Sequence, residues 1–148
     1  MQAATTVEGQ QLLAGIIDIL SVLKQRSHVR ENPATVFLLR HLRASDPLRV
    51  SDLAECSRLD ISTVSRHVKA LEESGHLMRI EDPEDKRACL LRITEQGCDL
   101  YDAAMAARGA VLDRAIADWS GDDRRDLAVL VGRLARDLHE PHETRSGS

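Results

Sequence analysis

Residues 75–93 read Gly75-His76-Leu77-Met78-Arg79-Ile80-Glu81-Asp82-Pro83-Glu84-Asp85-Lys86-Arg87-Ala88-Cys89-Leu90-Leu91-Arg92-Ile93. Gly75 tolerates the left-handed backbone that ends a preceding helix. Beyond it the helical period gives way to two short apolar segments, Leu77–Ile80 and Leu90–Ile93, on either side of the charged turn Asp82–Arg87. That pattern predicts a two-stranded hairpin. Lys86 and Arg87 sit at its tip, and such a ribbon is shaped to reach a minor groove, where a narrow width concentrates negative potential. Asp85, two residues before Arg87, can hold the guanidinium in position while its own charge is neutralised. Taken alone, an Asp-Lys-Arg turn is usually just a solvated hairpin tip. What precedes it decides.

Upstream, Ser51 is a good N-cap for a brief helix holding Leu53 and Ala54. Ser57 to Asp60 forms a tight polar connection. Asp60 can cap a second helix whose apolar positions Ile61, Val64, Val68 and Leu71 recur at spacings of three and four. A short helix, a tight turn and an amphipathic helix make the helix-turn-helix pattern. With the apolar set inward, Ser62, Thr63, Ser65, Arg66 and Lys69 are available outside. Small hydroxyls at a helix N-terminus allow close approach to a major-groove floor, Arg66 can read guanine bidentately, and Lys69 suits a phosphate. The helix dipole adds attraction for phosphate at the same end. Glu72 and Glu73 fall at the far end, directed away from DNA. An ordinary core helix with a solvated face shows the same pattern, because helix-turn-helix geometry also occurs without DNA. A helix-turn-helix followed directly by a basic-tipped hairpin is far more specific than either part.

The runs Val50-Ser51-Asp52-Leu53-Ala54, Ser62-Thr63-Val64-Ser65-Arg66 and Leu71-Glu72-Glu73-Ser74-Gly75 resemble the MarR (multiple antibiotic resistance) regulators. So does the stretch from Arg79 through Asp82-Pro83-Glu84-Asp85-Lys86-Arg87-Ala88 to Ile93-Thr94-Glu95-Gln96-Gly97, which matches that family's wing signature, D-x-R followed by L/I-T-x-x-G. The resemblance is firm across residues 48–98; outside them it rests on helix order and length. It implies a winged-helix dimer with the Ser62–Lys69 helix in the major groove, Arg87 in the minor groove and Asp85 orienting Arg87. It also implies a small-molecule pocket between the dimer helices and the winged domain, for which Ile16, Phe37 and His41 are the candidate lining residues. A lone histidine such as His41 is more often a satisfied or surface residue than a ligand contact.

Working outward, residues 8–26 form an apolar helix whose stripe of Leu12, Ile16, Ile19 and Leu23, flanked by Leu13, Ile17 and Leu20, is wider than one packing partner requires. Asn32-Pro33 reads as a helix start, leading into Val36, Phe37, Leu39 and Leu42 and ending before Asp46-Pro47. Leu48-Arg49-Val50 is short and extended. Thr94 caps a long helix running toward Trp119, with Tyr101, Met105, Leu112, Ile116 and Trp119 in one line and Leu100, Ala104, Ala107, Val111 and Ala115 in another. Ser120 with Asp123 resembles a capping box for a last helix bearing Leu127, Leu130, Val131, Leu134 and Leu138. The expected fold is mainly α with a small β-hairpin: a winged helix-turn-helix over 32–97, a helical dimerisation region over 1–31 and 98–139, and a disordered tail over 140–148. Two apolar lines on one helix suggest two partners, one within the subunit and one across a twofold axis. A C2 dimer would set its recognition helices about 34 Å apart on a pseudo-palindromic site. A single-chain helical bundle is the competing explanation.

The totals narrow the function classes. A chain of 148 residues with 43% hydrophobic and 30% charged residues has a globular balance and needs no metal or disulfide to hold a core. The apolar run Leu12–Leu23 is interrupted by Gly15, Asp18 and Ser21, too short and polar to span a bilayer. With no secretory signal pattern, a cytoplasmic protein without membrane contact is expected. Net charge is −4, which argues against a nucleic-acid partner until the chain is divided. Residues 40–94 carry ten acids and ten bases, whereas 95–148 carry eleven acids and seven bases, so the excess negative charge lies in the C-terminal third. DNA binding then requires the bases to cluster on one surface.

Cys56, Cys89 and Cys98 lack metal-ligand spacing and are expected as reduced thiols, Cys56 and Cys89 structural. Cys98, one turn into its helix, is the place for redox control if there is any. The His139-x-x-His142 pair is a weak zinc candidate in the tail. No phosphate loop or nucleophile–base pair supports an enzyme, and no cofactor is expected. The expectation is a double-stranded DNA-binding transcription regulator, a homodimeric repressor released by a small-molecule effector. The alternatives are a redox-responsive regulator acting through Cys98, and a winged-helix protein-interaction module without DNA binding.

Overall fold

The structure, a computed structural model, describes residues 6–26 and 32–139. The tail from Glu140 and the partner histidine His142 lie outside the described residues. In chain order the elements are α1 (Val7–Arg26), α2 (Pro33–Ala44), α3 (Val50–Ser57), α4 (Ile61–Glu73), β1 (Leu77–Glu81), β2 (Cys89–Ile93), α5 (Glu95–Ala115) and α6 (Gly121–His139). They divide between two compact units, Met1–Val111 and Leu112–Ser148.

In the first unit, α2 begins as its sequence dictates. Pro33 stands in the first turn and the Asn32 side chain accepts the N–H of Ala34 at 3.0 Å, satisfying a donor the helix leaves open. The chain then extends through Leu48, which exchanges both backbone hydrogen bonds with Leu91 (3.2 and 2.7 Å). Because that pairing holds the chain extended up to Arg49, α3 starts at Val50 with Arg49 as its N-cap. Ser51 therefore lies inside the helix and is not its cap. Helix α3 closes on Arg58, whose φ of 55° is left-handed, a conformation L-residues other than glycine rarely adopt. Its N–H bonds back toward Ala54 and Glu55, and Asp60 precedes α4 without making a side-chain cap.

Helix α4 ends at Ser74, whose hydroxyl donates to the carbonyl of Ala70 at 2.9 Å, and Gly75 follows at φ 79°. The hairpin is antiparallel, registering Leu77 with Ile93 and Glu81 with Cys89. The core gathers Leu38, Leu39 and Leu42 of α2, Leu53 of α3, Val64, Val68 and Leu71 of α4, and Leu77 and Leu91 of the hairpin. Leu38, which the helical spacing did not single out, is fully buried, while Phe37 is only half-buried. Ile61, expected inward, is 57% exposed; it occupies the first turn of α4, before the helix meets the core. Cys56 and Cys89 are likewise exposed, since each side chain leaves its element on the solvent side. The architecture is a mainly α winged helix-turn-helix with flanking helices.

The join from α4 through the hairpin to α5 is tight. The Thr94 hydroxyl donates to the carbonyl of Gly75 at 2.7 Å and accepts the N–H of Gly97 at 3.1 Å. Along α5, Ala104 and Val111 are buried whereas Met105 and Leu112 are exposed, so the two apolar lines have different fates. The helix stops at Ala115, short of Trp119. In the second unit, Ser120 accepts the N–H of Asp123 at 3.0 Å and donates to its carboxylate at 2.8 Å, a cap turned onto its own partner. Helix α6 buries no residue, and Leu130, Val131 and Leu138 stand exposed. The same holds for Leu12, Leu13, Ile17 and Leu20 on α1. No helix among the described residues is long and apolar enough to cross a membrane.

Candidate nucleic-acid interface

Two elements carry the basic side chains that the sequence singles out. On α4, burial of Val64, Val68 and Leu71 fixes the helix rotation, which leaves Ser62, Ser65, Arg66 and Lys69 exposed and Thr63 half-buried. His67, one position on, turns back to α2, where its Nδ1 lies 3.4 Å from the Thr35 hydroxyl. The polar row and the apolar row are thus two sides of one rotation. At the end of α4, Glu72 pairs with Arg79 of β1 at 3.0 Å, which neutralises one of the two acids at the far end of that helix.

At the hairpin tip Asp85, Lys86 and Arg87 are all exposed. The Asp85 carboxylate accepts the backbone N–H of Arg87 at 3.0 Å, an Asx-type turn that fixes the tip backbone. Its contact is with the backbone of Arg87, not with the guanidinium the sequence reading had it holding. Among the described residues no carboxylate forms an ion pair with Arg66, Lys69, Lys86 or Arg87.

Sequence reading missed the best-held charge pair in this region. Asp82, at the root of the tip, has a side chain only 7% exposed. Its Oδ2 accepts from Nε of Arg49 at 3.0 Å and from Nη2 of the same guanidinium, and its Oδ1 accepts the N–H of Glu84 at 2.9 Å. The Glu84 N–H, followed by the Arg49 guanidinium, holds the Asp82 carboxyl below the usual carboxylate range. Asp82, in turn, raises the pKa of Arg49. Thirty-three positions separate the partners, and no local pattern announces such a pair.

The remaining candidates are dispersed. A cleft of about 520 Å³ is lined by His41, Ala44, Ser45, Leu48, Asp52, Glu55 and Cys56. It takes in His41 but neither Ile16 nor Phe37; the Phe37 ring instead meets His41 edge-on with centroids 4.7 Å apart. Although Cys56 is exposed as a residue, partial desolvation of its thiol pushes the pKa up, which suppresses its thiolate. Cys98 is half-buried. Among the described residues no group of three or more histidine, cysteine or acidic side chains is placed to hold a metal ion.

Comparison with known proteins agrees with this arrangement. The MarR family model matches residues 32–89, the span from α2 to the first residue of β2. The chain is 36% identical over 101 residues to the uncharacterized HTH-type transcriptional regulator YxaD of Bacillus subtilis, covering 68% of this chain and 71% of that protein. It is 26% identical over 104 residues to the HTH-type transcriptional repressor MdtR of the same organism, covering 70% and 67%. Among solved structures, a MarR family protein from Bacillus stearothermophilus superimposes with a TM-score of 0.75 at 21% identity, over 95% of this chain and 99% of that one; at that identity the likeness bears on the fold alone. The hydroxyl-and-basic face of α4, the basic-tipped hairpin and these relatives agree: the chain belongs to the MarR family and is a winged helix-turn-helix, DNA-binding transcription regulator.

Proposed function

We propose that the protein is a repressor that binds a pseudo-palindromic site in double-stranded DNA as a homodimer and is released by a small-molecule effector. In this reading Ser62, Thr63, Ser65, Arg66 and Lys69 face the major groove, and Lys86 and Arg87 enter the adjacent minor groove, with Asp85 shaping the turn that presents Arg87. Residues 32–97 are the reading head, and 1–31 with 98–139 form the dimerisation region. The observation that carries the reading is the distribution of charge. The cations of α4 and the wing tip have no carboxylate ion-pair partner among the described residues, while three of the nearby acids are engaged: Glu72 by Arg79, Asp82 by Arg49 and Asp85 by the backbone. A net charge of −4 is therefore compatible with a locally positive surface.

The effector would take the solvent-open cleft beside His41. A ligand there must favour the DNA-incompetent state by its differential affinity, typically about 1–3 kcal/mol.

The test is Arg87→Ala, measured on a duplex selected by the wild-type protein from a random pool. Binding should weaken by about 1–3 kcal/mol with an unchanged thermal unfolding curve. Undiminished affinity would remove the wing from the reading.

A further inference from the structure

We propose that Arg49 and Asp82 are positioning residues for DNA binding: their ion pair fixes the root of the wing to the head of α3 and so sets where Arg87 stands relative to α4. The inference rests on the reading that Arg87 contacts DNA, and it assigns roles to two residues that lie outside the expected DNA-contacting set.

A two-stranded hairpin has little stability of its own, so its direction is set by what it is tied to. Core packing of Leu77 and Leu91 and the Glu72–Arg79 pair seat its base, and two further ties come from the segment leading into α3, both from neighbouring residues. The backbone of Leu48 pairs with Leu91 in the middle of β2, with the Leu91 side chain fully buried. That leaves the distal part of the ladder, Ile80 with Leu90 and Glu81 with Cys89, projecting beyond the last backbone tie. Arg49 is the next residue after Leu48, and it reaches the hairpin again at Asp82, where the ladder gives way to the tip. Asp82 is the only residue from 81 to 87 whose side chain is buried.

The same carboxylate also organises the tip. One oxygen takes the Arg49 guanidinium and the other takes the N–H of Glu84, while the backbone N–H of Asp82 donates to the carbonyl of Ala88 at 3.2 Å. A single group thus joins helix α3 to the turn carrying Arg87. Removing either partner leaves Leu48–Leu91 as a pivot, and a small rotation there is amplified along the projecting strands. Because Arg49 is also the N-cap of α3, the pair couples the wing to the first helix of the helix-turn-helix motif itself.

Arg49 is partly exposed, and the competing role for it is direct contact with a DNA phosphate. Arg49→Met, Arg49→Lys and Asp82→Asn, each with and without Arg87→Ala, separate the two. Affinity per folded protein is measured on the selected duplex, and hydrogen exchange is followed at the amides of Asp82 and Glu84. Arg49→Met and Asp82→Asn should each weaken binding about tenfold, a fraction of what a wing arginine contributes. Combining them should cost no more than either alone, and Arg49→Lys should recover part of the loss. Exchange at both amides should rise, and in the Arg87→Ala background the losses should shrink to less than about twofold.

Losses that multiply fully with that of Arg87→Ala, or a loss from Arg49→Met with none from Asp82→Asn, would make Arg49 a DNA contact and overturn the proposal. Faster exchange with unchanged affinity would overturn it too, leaving a purely structural pair. If Arg87→Ala alone is silent, the wing reading fails and this proposal with it; that failure is recognisable without any Arg49 variant.

Discussion

A Cβ on Gly97 would stand 2.0 Å from the carbonyl oxygen of His76 and 2.7 Å from the Ile93 side chain. The backbone of α5 approaches the start of the wing so closely that no other residue fits. Gly97→Ala must push α5 away from the loop after α4, loosening both Thr94 bonds that tie those elements together. The expected cost is about 1–3 kcal/mol, read as a lower urea midpoint with an unchanged slope; a change within about 0.5 kcal/mol, as for a surface position, would show that the join yields freely. Thr94 was legible as a helix cap and Gly97 only as part of a family signature, and the structure supplies the reason for that pattern. Asp85 shows the opposite case. Spacing placed it correctly beside Arg87, but spacing cannot distinguish a bond to the guanidinium from one to the backbone N–H.

Between elements, what could be read depended on sequence separation. The burial of Val64, Val68 and Leu71, the end of α4 at Gly75 and the two strands follow from periods of a few residues, and they came out as expected. The start of α3 did not, because the pairing of Leu48 with Leu91 decides it, and no local propensity contains that pairing. The Arg49–Asp82 tie was hidden for the same reason. Its pH dependence has a definite sign. A carboxyl whose folded pKa is lowered contributes stability above its unfolded value, about 3.9, and loses it as pH falls through the still lower folded value. The wing should therefore stay tied from neutral pH down to mild acid. Protection of the Glu84 amide, corrected for intrinsic exchange, should be flat between about pH 5 and 7 and fall only below about pH 4. In Asp82→Asn, which has no carboxyl to titrate, it should not change with pH over this range. A transition centred near pH 6 would point to a histidine instead.

At the scale of the whole molecule, the apolar surface left on α1, α5 and α6 is the dominant unexplained feature of a single chain. Leu12, Leu13, Ile17 and Leu20 on one helix, and Leu130, Val131 and Leu138 on another, remain exposed, far more than scattered surface residues require. Periodicity showed these stripes but not their partner, since a stripe looks the same whether its cover lies in the same chain or in a second copy. A homodimer accounts for them. Sedimentation at micromolar concentration should give a dimer, and a stable folded monomer would contradict the twofold arrangement. Despite its net negative charge, the protein is expected to read duplex DNA through α4 and the wing. The most direct test is the affinity for a selected duplex and a scrambled one across a salt series. Log K should fall linearly with log salt, with a slope magnitude of about 4 or more from the paired basic surfaces, and the selected duplex should bind at least about a thousandfold tighter than the scrambled one. A flat salt response with equal affinity for both duplexes would contradict this reading.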